Sequence, residues 1–217
     1  VGTGAAVEAY LSRGGCLMVI ADKAPFETQL VRMGDQWVTP ADAQARVESA
    51  GTVLAVTPDL PSKFGYASND PQKAVSVSVE AAPEGVEGQV LHFKLADFTG
   101  WDSWSVGVPV GSLSKETPVL LFWAKGDAET VEMTVEVNED DGSRWIATVP
   151  LTSEGRRVAI VPEELAYWRD SPKGINRGFP GDVVDPERVV EVRLGLAMSH
   201  SPLKPGPKEF WVSSLER

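Results

Sequence analysis

The chain has 217 residues, 42% of them hydrophobic and 24% charged, which suffices for one large domain or one domain plus a fragment. Its net charge of −11 argues against nucleic acid and anionic membrane surfaces as partners, because both repel an acidic chain. A single cysteine, Cys16, excludes an intrachain disulfide and a cysteine zinc cluster, and no run of about 18 apolar residues is present to span a bilayer. Acidity is compatible with an uncharged polysaccharide partner. The chain starts at Val1 with neither an initiator methionine nor a signal peptide, as expected of a piece of a longer protein.

Taken in order, residues 2–13 place Ala6, Val7, Tyr10 and Leu11 on one side at helical spacing, and Gly14-Gly15 is a helix stop. The apolar run 16–22 has the character of a buried parallel strand, ended by Ala24-Pro25-Phe26. Thr39 as N-cap and Pro40 at the first helical position predict a second helix over 40–50. A short strand is expected at 53–57. These elements make residues 1–60 a slice of an α/β layer. Residues 58–73 are rich in Pro, Ser, Asn and Asp, and a linker is expected over 61–73.

From Ala74 the pattern changes to alternating strands. Valines alternate with serines over 75–81, and Leu91, Phe93 and Leu95 alternate with His92, Lys94 and Ala96 over 89–98. A loop, TGWDS, leads into 104–111, where Val106, Val108 and Val110 share a face. The near-continuous apolar run 119–124 reads as a buried strand. Val131, Met133, Val135 and Val137 then alternate with polar residues up to Asp141-Gly142, a tight-turn dipeptide, and Trp145, Ala147, Val149 and Leu151 return. Strands follow at 156–165, 189–200 and 209–216, separated by a long loop from Tyr167 to Asp182 and one helical turn at 185–188. About eight or nine strands with turns every ~8–12 residues predict a β-sandwich of jelly-roll type over 74–217. The fold class is therefore mainly β, with a small N-terminal α/β segment.

Four features of residues 89–217 resemble the jelly-roll, galactose-binding-like carbohydrate-binding modules attached to secreted glycoside hydrolases. They are DFTGWDSW at 97–104, LLFWAKGD at 120–127, the DGSRWIATVPL hairpin followed by RRVAIVPEEL, and the terminal EFWVSSLE after RLGLAMS. Residues 5–26 resemble the tail of the glutamine-amidotransferase-like domain of multidomain β-galactosidase-type enzymes, without the half that carries that family's nucleophile elbow. The resemblance implies an extracellular or periplasmic location and a catalytic domain elsewhere in the same parent protein. Members of the sandwich group often end on a strand with acidic residues, whereas this chain has Ser213 and Ser214. No motif supports a structural calcium, and no cofactor is expected.

No catalytic constellation stands out. Cys16 begins a strand, so it reads as a small buried hydrophobe and not as a nucleophile on a strand-to-helix turn. Gly2-Thr3-Gly4 has no strand before it, and Asp140 and Asp141 miss the spacing of a calcium loop and read as turn residues. Glu163 and Glu164 are adjacent and do not face each other as a glycosidase pair must. His92 and His200 have no second ligand at metal spacing and are expected at the surface.

The aromatic residues carry the functional expectation, because sugars present C–H faces that stack on rings. Trp145 and Trp123 are expected in the core. Trp211 is out of phase with Phe210 and Val212, which leaves both a site and a core role open. Trp101 and Trp104 flank a polar loop. Trp168 opens the long loop beside Tyr167, Asp170, Arg177 and Phe179. These eight residues, Trp101, Trp104, Tyr167, Trp168, Asp170, Arg177, Phe179 and Trp211, are the expected ligand-binding set, each ring having a core alternative. The expected function is non-catalytic binding of a neutral glycan. A structural accessory role in a glycoside hydrolase, with no ligand of its own, is the alternative.

Overall fold

A computed structural model describes residues 31–33, 36–38, 51–113, 119–172 and 175–217. The chain divides into two compact units, Val1–Ser49 and Ala50–Arg217. In the first unit, β1 (Val31–Met33) pairs antiparallel with β2 (Gln36–Val38), a hairpin too short for its alternation to register in the sequence. The helices expected at 2–13 and 40–50, the strand at 16–22, Cys16 and the amidotransferase-like stretch lie outside the described residues.

The second unit is a sandwich of two antiparallel sheets. One has the order β12-β10-β9-β13-β7-β4, from β12 (Ala166–Tyr167), β10 (Arg144–Pro150), β9 (Glu132–Glu139), β13 (Val189–Ala197), β7 (Trp101–Gly107) and β4 (Gly65–Ser68). The other has the order β3-β15-β8-β14-β6-β5, from β3 (Thr52–Leu54), β15 (Leu215–Glu216), β8 (Leu120–Gly126), β14 (Gly206–Ser213), β6 (Gln89–Phe98) and β5 (Val75–Ala81), with β11 (Arg156–Ile160) added to β8. The jelly-roll expectation is met, and among the described residues the helical turns are all of the 3₁₀ type.

The expected hairpin is β9–β10. Trp145 faces Val137 and Val149 faces Met133 across it, so the apolar phase of both strands points inward. At its turn the Gly142 N–H donates to the Glu139 carbonyl (2.9 Å), and Gly142 has φ 84°, a left-handed conformation that favours glycine. Asp141 accepts the Ser143 N–H at 2.8 Å, so the aspartates here are turn residues as expected.

The core is built on aromatic contacts within and between the sheets. Phe93 of β6 stacks on Phe210 of β14 at 4.5 Å, and Trp104 of β7 meets both, at 5.0 and 5.9 Å. Trp104 is 2% exposed and therefore belongs to the core, not to the ligand-binding set in which it was expected. The reason is its phase: it shares a face with Val106 and Val108, two and four residues on, and these are also buried. Trp145 is in the core as expected. Trp123 is buried but lies on the other phase of β8 from the core residues Phe122 and Ala124.

The stretch expected as linker differs most from its composition. Residues 60–63 form a 3₁₀ turn that buries Leu60, and β4 pairs with β7, Tyr66 opposite Trp104. Phe64 meets Phe93 edge-on at 5.9 Å. The Pro, Asn and Asp residues make the turns between these short elements, while Leu60, Phe64 and Tyr66 supply the apolar contacts. Likewise, the loop expected before residue 104 is already strand, since β7 begins at Trp101.

Candidate functional site

On the six-stranded sheet the phase opposite to the core carries mainly polar side chains, Thr134 and Glu136 from β9, Arg144 from β10, Arg193 from β13 and Ser103 from β7. Such positions ordinarily face water, yet Thr134 and Glu136 are buried. They lie at the bottom of a cleft of ≈ 690 Å³, because loop residues rise on both sides of them. A cleft of this size falls in the range of small-ligand sites.

The floor is a charged network. Arg144 clamps Glu136 in a two-point interaction, Nε to Oε1 at 2.7 Å and Nη2 to Oε2 at 2.9 Å. That hydrogen bond, against the opposing effect of burial, holds the Arg144 guanidinium above its ordinary pKa. Arg193 lies 3.7 Å from Glu136 and donates to Glu191 at 2.7 Å, and Glu191 also accepts from Asn138 at 2.6 Å. Gly195 completes the floor; a Cβ there would sit 2.4 Å from the Asp102 carbonyl oxygen of β7.

The walls are aromatic. Trp101, 43% exposed, starts β7 opposite Ala197 of β13. Trp168 lies half-buried against His200, ring centroids 4.0 Å apart, with the Arg144 guanidinium 5.9 Å from its ring. Ser171 fixes this wall by accepting the Arg144 N–H at 3.0 Å and donating to the Trp168 carbonyl at 2.7 Å. Arg169 and Asp170 are exposed on the rim. Tyr167 lines the cleft and also packs edge-on against Trp145 at 5.4 Å. Burial lowers the pKa of His200, against the opposing effect of the Glu136 and Asp170 carboxylates.

Of the eight expected residues, four line this cleft: Trp101, Tyr167, Trp168 and Asp170. Arg177, Phe179 and Trp211 do not. Arg177 is an ion-pair residue that binds Glu139, Asp182 and the Val183 carbonyl, with its guanidinium 5.0 Å from the Trp145 ring. Phe179 is 55% exposed in the turn that this pairing closes. Trp211 lies on the other sheet, stacked on His92 at 4.1 Å with Lys125 4.8 Å from its ring and its indole N–H donated to Glu80.

His92, expected at the surface, is buried, with its ring nitrogens 2.6 Å from Glu80 and 2.9 Å from Glu209. His200 is half-buried in the cleft wall. The floor residues Glu136, Arg144 and Arg193 were missed because a polar strand phase ordinarily means solvent. The alternation was visible, but the loops that cover it were not.

Among the described residues no group of three or more His, Cys, Asp or Glu is arranged to hold a metal ion. Glu139, Asp141 and Asp182 converge, but on the guanidinium groups of Arg177 and Arg188. On the last strands, Ser213 Oγ accepts the Trp123 N–H at 2.8 Å and Ser214 Oγ accepts the Val56 N–H at 3.0 Å.

These pairings set the response to acid. Burial opposes ionisation of Asp182 and Asp141 but is outweighed, at Asp182 by Arg177 and the Gly178 N–H, at Asp141 by Ser143 and Arg188. Both carboxyls therefore titrate below their ordinary value. A lowered folded pKa contributes stability that is fully present above the unfolded pKa, near 4, and is lost as pH falls through the folded one. The melting temperature is thus expected to hold from pH 7 to about 5 and to fall below about 4. Asp182→Asn should flatten that fall; identical pH profiles for wild type and variant would contradict it.

No family model matches the chain, and no curated protein matches it. Solved structures do. A family 11 carbohydrate-binding module from Clostridium thermocellum, in complex with a β-1,3-1,4-mixed-linked tetrasaccharide, is 15% identical with a TM-score of 0.54, covering 71% of this chain and 87% of its own. The family 11 module of a cellulosomal cellulase of Clostridium thermocellum is 13% identical with a TM-score of 0.53, covering 77% and 93%. The solution structure of CtCBM11 is 15% identical with a TM-score of 0.55, covering 77% and 91%. At these identities the likeness is one of fold: the second unit is a jelly-roll β-sandwich similar to family 11 carbohydrate-binding modules.

Proposed function

We propose that this chain is a non-catalytic carbohydrate-binding module that takes a neutral glycan in the cleft of its six-stranded sheet. The observation that carries the reading is a polar, hydrogen-bonding floor between two tryptophan-bearing walls, Trp101 and Trp168. Sugar rings need both: C–H faces stack on indoles, and hydroxyls pair with carboxylates and guanidinium groups. The fold likeness to modules such as the one bound to a mixed-linked tetrasaccharide supports the same reading.

Hydrolysis is not supported by the floor. Both carboxylate oxygens of Glu136 are taken up by the Arg144 guanidinium, and among the described residues the cleft floor holds no second carboxylate to face it. The parent protein on this reading is a secreted glycoside hydrolase, and the module works outside the cytoplasm beside its catalytic domain. Among the described residues no helix is long and apolar enough to cross a membrane.

The test is calorimetric titration against soluble β-glucans, including β-1,3-1,4-mixed-linked oligosaccharides, and against xylans, mannans and galactans. A dissociation constant of about 10 μM to 1 mM is expected, equivalent to roughly 4–7 kcal/mol. Trp101→Ala should weaken binding about five- to tenfold, the worth of one stacking contact, with an unchanged melting temperature. Trp168→Ala should weaken it similarly and cost some stability, since its ring is half-buried on His200. Silence across the panel would favour a structural accessory role, and release of reducing sugar would overturn the non-catalytic assignment.

A further inference from the structure

We infer that Asn69, braced by Lys73, is the positioning residue that holds the Trp101 wall of the cleft, an inference that rests on the glycan reading above. Trp101 begins β7 directly after the Thr99-Gly100 turn, at the end of its strand, where a backbone ordinarily frays. Here the backbone is clasped at two points. Asn69 N–H donates to the Trp101 carbonyl at 3.2 Å, and Asn69 Oδ1 accepts the Trp101 N–H at 2.9 Å. The same carboxamide donates from Nδ2 to Thr99 Oγ1 at 3.3 Å.

The carboxamide is itself fixed from behind. Lys73 Nζ donates to Asn69 Oδ1 at 3.1 Å and to Asp102 Oδ2 at 3.1 Å. The Lys73 and Asp102 side chains are 3% and 0% exposed, so the brace is not a solvated surface pair. Tyr66 closes the set, its hydroxyl donating to Asp102 Oδ1 at 2.5 Å, and burial followed by that carboxylate raises its pKa to about 12. Gly100 leaves room for the arrangement: a Cβ there would lie 2.8 Å from Asn69 Oδ1 and 2.9 Å from its Cγ.

An exposed indole binds well only if its orientation is fixed before the ligand arrives, because any freedom it loses on binding is charged against affinity. The clasp fixes the main chain from which the Trp101 indole projects, and so narrows the orientations open to the ring, from a residue that does not line the cleft. It also explains why a buried lysine–aspartate pair stands beside a surface turn.

The experiment uses the full chain labelled with 5-fluorotryptophan, its seven ¹⁹F signals including Trp101, assigned through Trp101→Phe. In Asn69→Ala the Trp101 signal is expected to shift and broaden while the other six hold. In Asn69→Asp, which keeps an oxygen facing the Trp101 N–H and Lys73, it should stay near its wild-type position. Titration with the mixed-linked tetrasaccharide, or the best-bound panel glycan if another is tighter, should show Asn69→Ala about five- to tenfold weaker and Asn69→Asp close to wild type. An unaltered Trp101 signal in Asn69→Ala, or unaltered affinity there while Trp101→Ala loses it, would overturn the inference. If wild type binds nothing, the glycan reading fails and the ¹⁹F arm still decides the role of Asn69. Should Asn69→Ala not fold, Gly100→Ala, which displaces the carboxamide sterically, takes its place in both arms.

Discussion

A chain that starts at Ala74 is expected to show no cooperative thermal transition, whereas one that starts at Gly51 unfolds cooperatively. Residues 51–73 supply β3, which pairs with β15, and β4, which pairs with β7. They also place Leu60, 2% exposed, in the core, Phe64 against Phe93 and Tyr66 against Trp104 at 5.3 Å. Losing a large buried apolar side chain costs about 2–5 kcal/mol. Loss of Leu60, together with the packing that half-buried Phe64 and Tyr66 give the core, removes a large part of the ~5–15 kcal/mol by which domains are stable at all. The cut also removes both donors to Asp102, Tyr66 Oη and Lys73 Nζ, leaving a buried carboxylate unpaired at a further cost of about 3–5 kcal/mol. Calorimetry and near-ultraviolet circular dichroism on the two fragments decide the matter. A cooperative transition for 74–217 would move the boundary back to where composition alone suggested it.

Glu139→Ala is expected to be the most damaging single substitution of a polar residue in the sandwich, about 3–5 kcal/mol. Glu139 ends β9 in the inward phase, and its carboxylate is 0% exposed. It is saturated: Oε1 accepts the Asp185 N–H at 2.7 Å, Oε2 accepts Ser143 Oγ at 3.0 Å, and Arg177 bridges both oxygens. Arg188 stands 3.6 Å away. Removing the carboxylate leaves the largely buried Arg177 cation short of its main partner and two further donors without an acceptor. For a domain of this size the corresponding fall in melting temperature is roughly 6–20 °C. Arg177→Met in the Glu139→Leu background should cost less than the two single changes combined, because the pair is desolvated together. Strict additivity in that cycle would show that the two residues do not act as a unit.

Local alternation was enough to place most of the strands from residue 75 onward and to name a β-sandwich, but not their order in the two sheets. Period-two alternation is a local property of the backbone, so Val131 to Val137, Asp141-Gly142 and the returning Trp145 to Leu151 specified a hairpin without reference to anything distant. The same phase rule contained the correct place of Trp104, two residues before Val106, and the flanking polar residues obscured it.

Which polar positions are covered, and by what, depends on contacts between segments far apart in the chain. Glu136 and Arg144 sit on the outward phase of their strands, indistinguishable in sequence from solvated charges. They become a cleft floor because Trp168 and His200, 32 residues apart, meet above one side and Trp101 stands at the other. His92 is equally outward in phase, yet Trp211 of the neighbouring strand closes over it. Residues 58–73 carried the composition of a linker, since short elements joined by tight turns need as much Pro, Asn and Asp as a true linker does. Their burial depends on partners such as Phe93 and Trp104, which lie about 30 to 40 residues away along the chain. Contacts at that separation leave no periodicity in the segment itself.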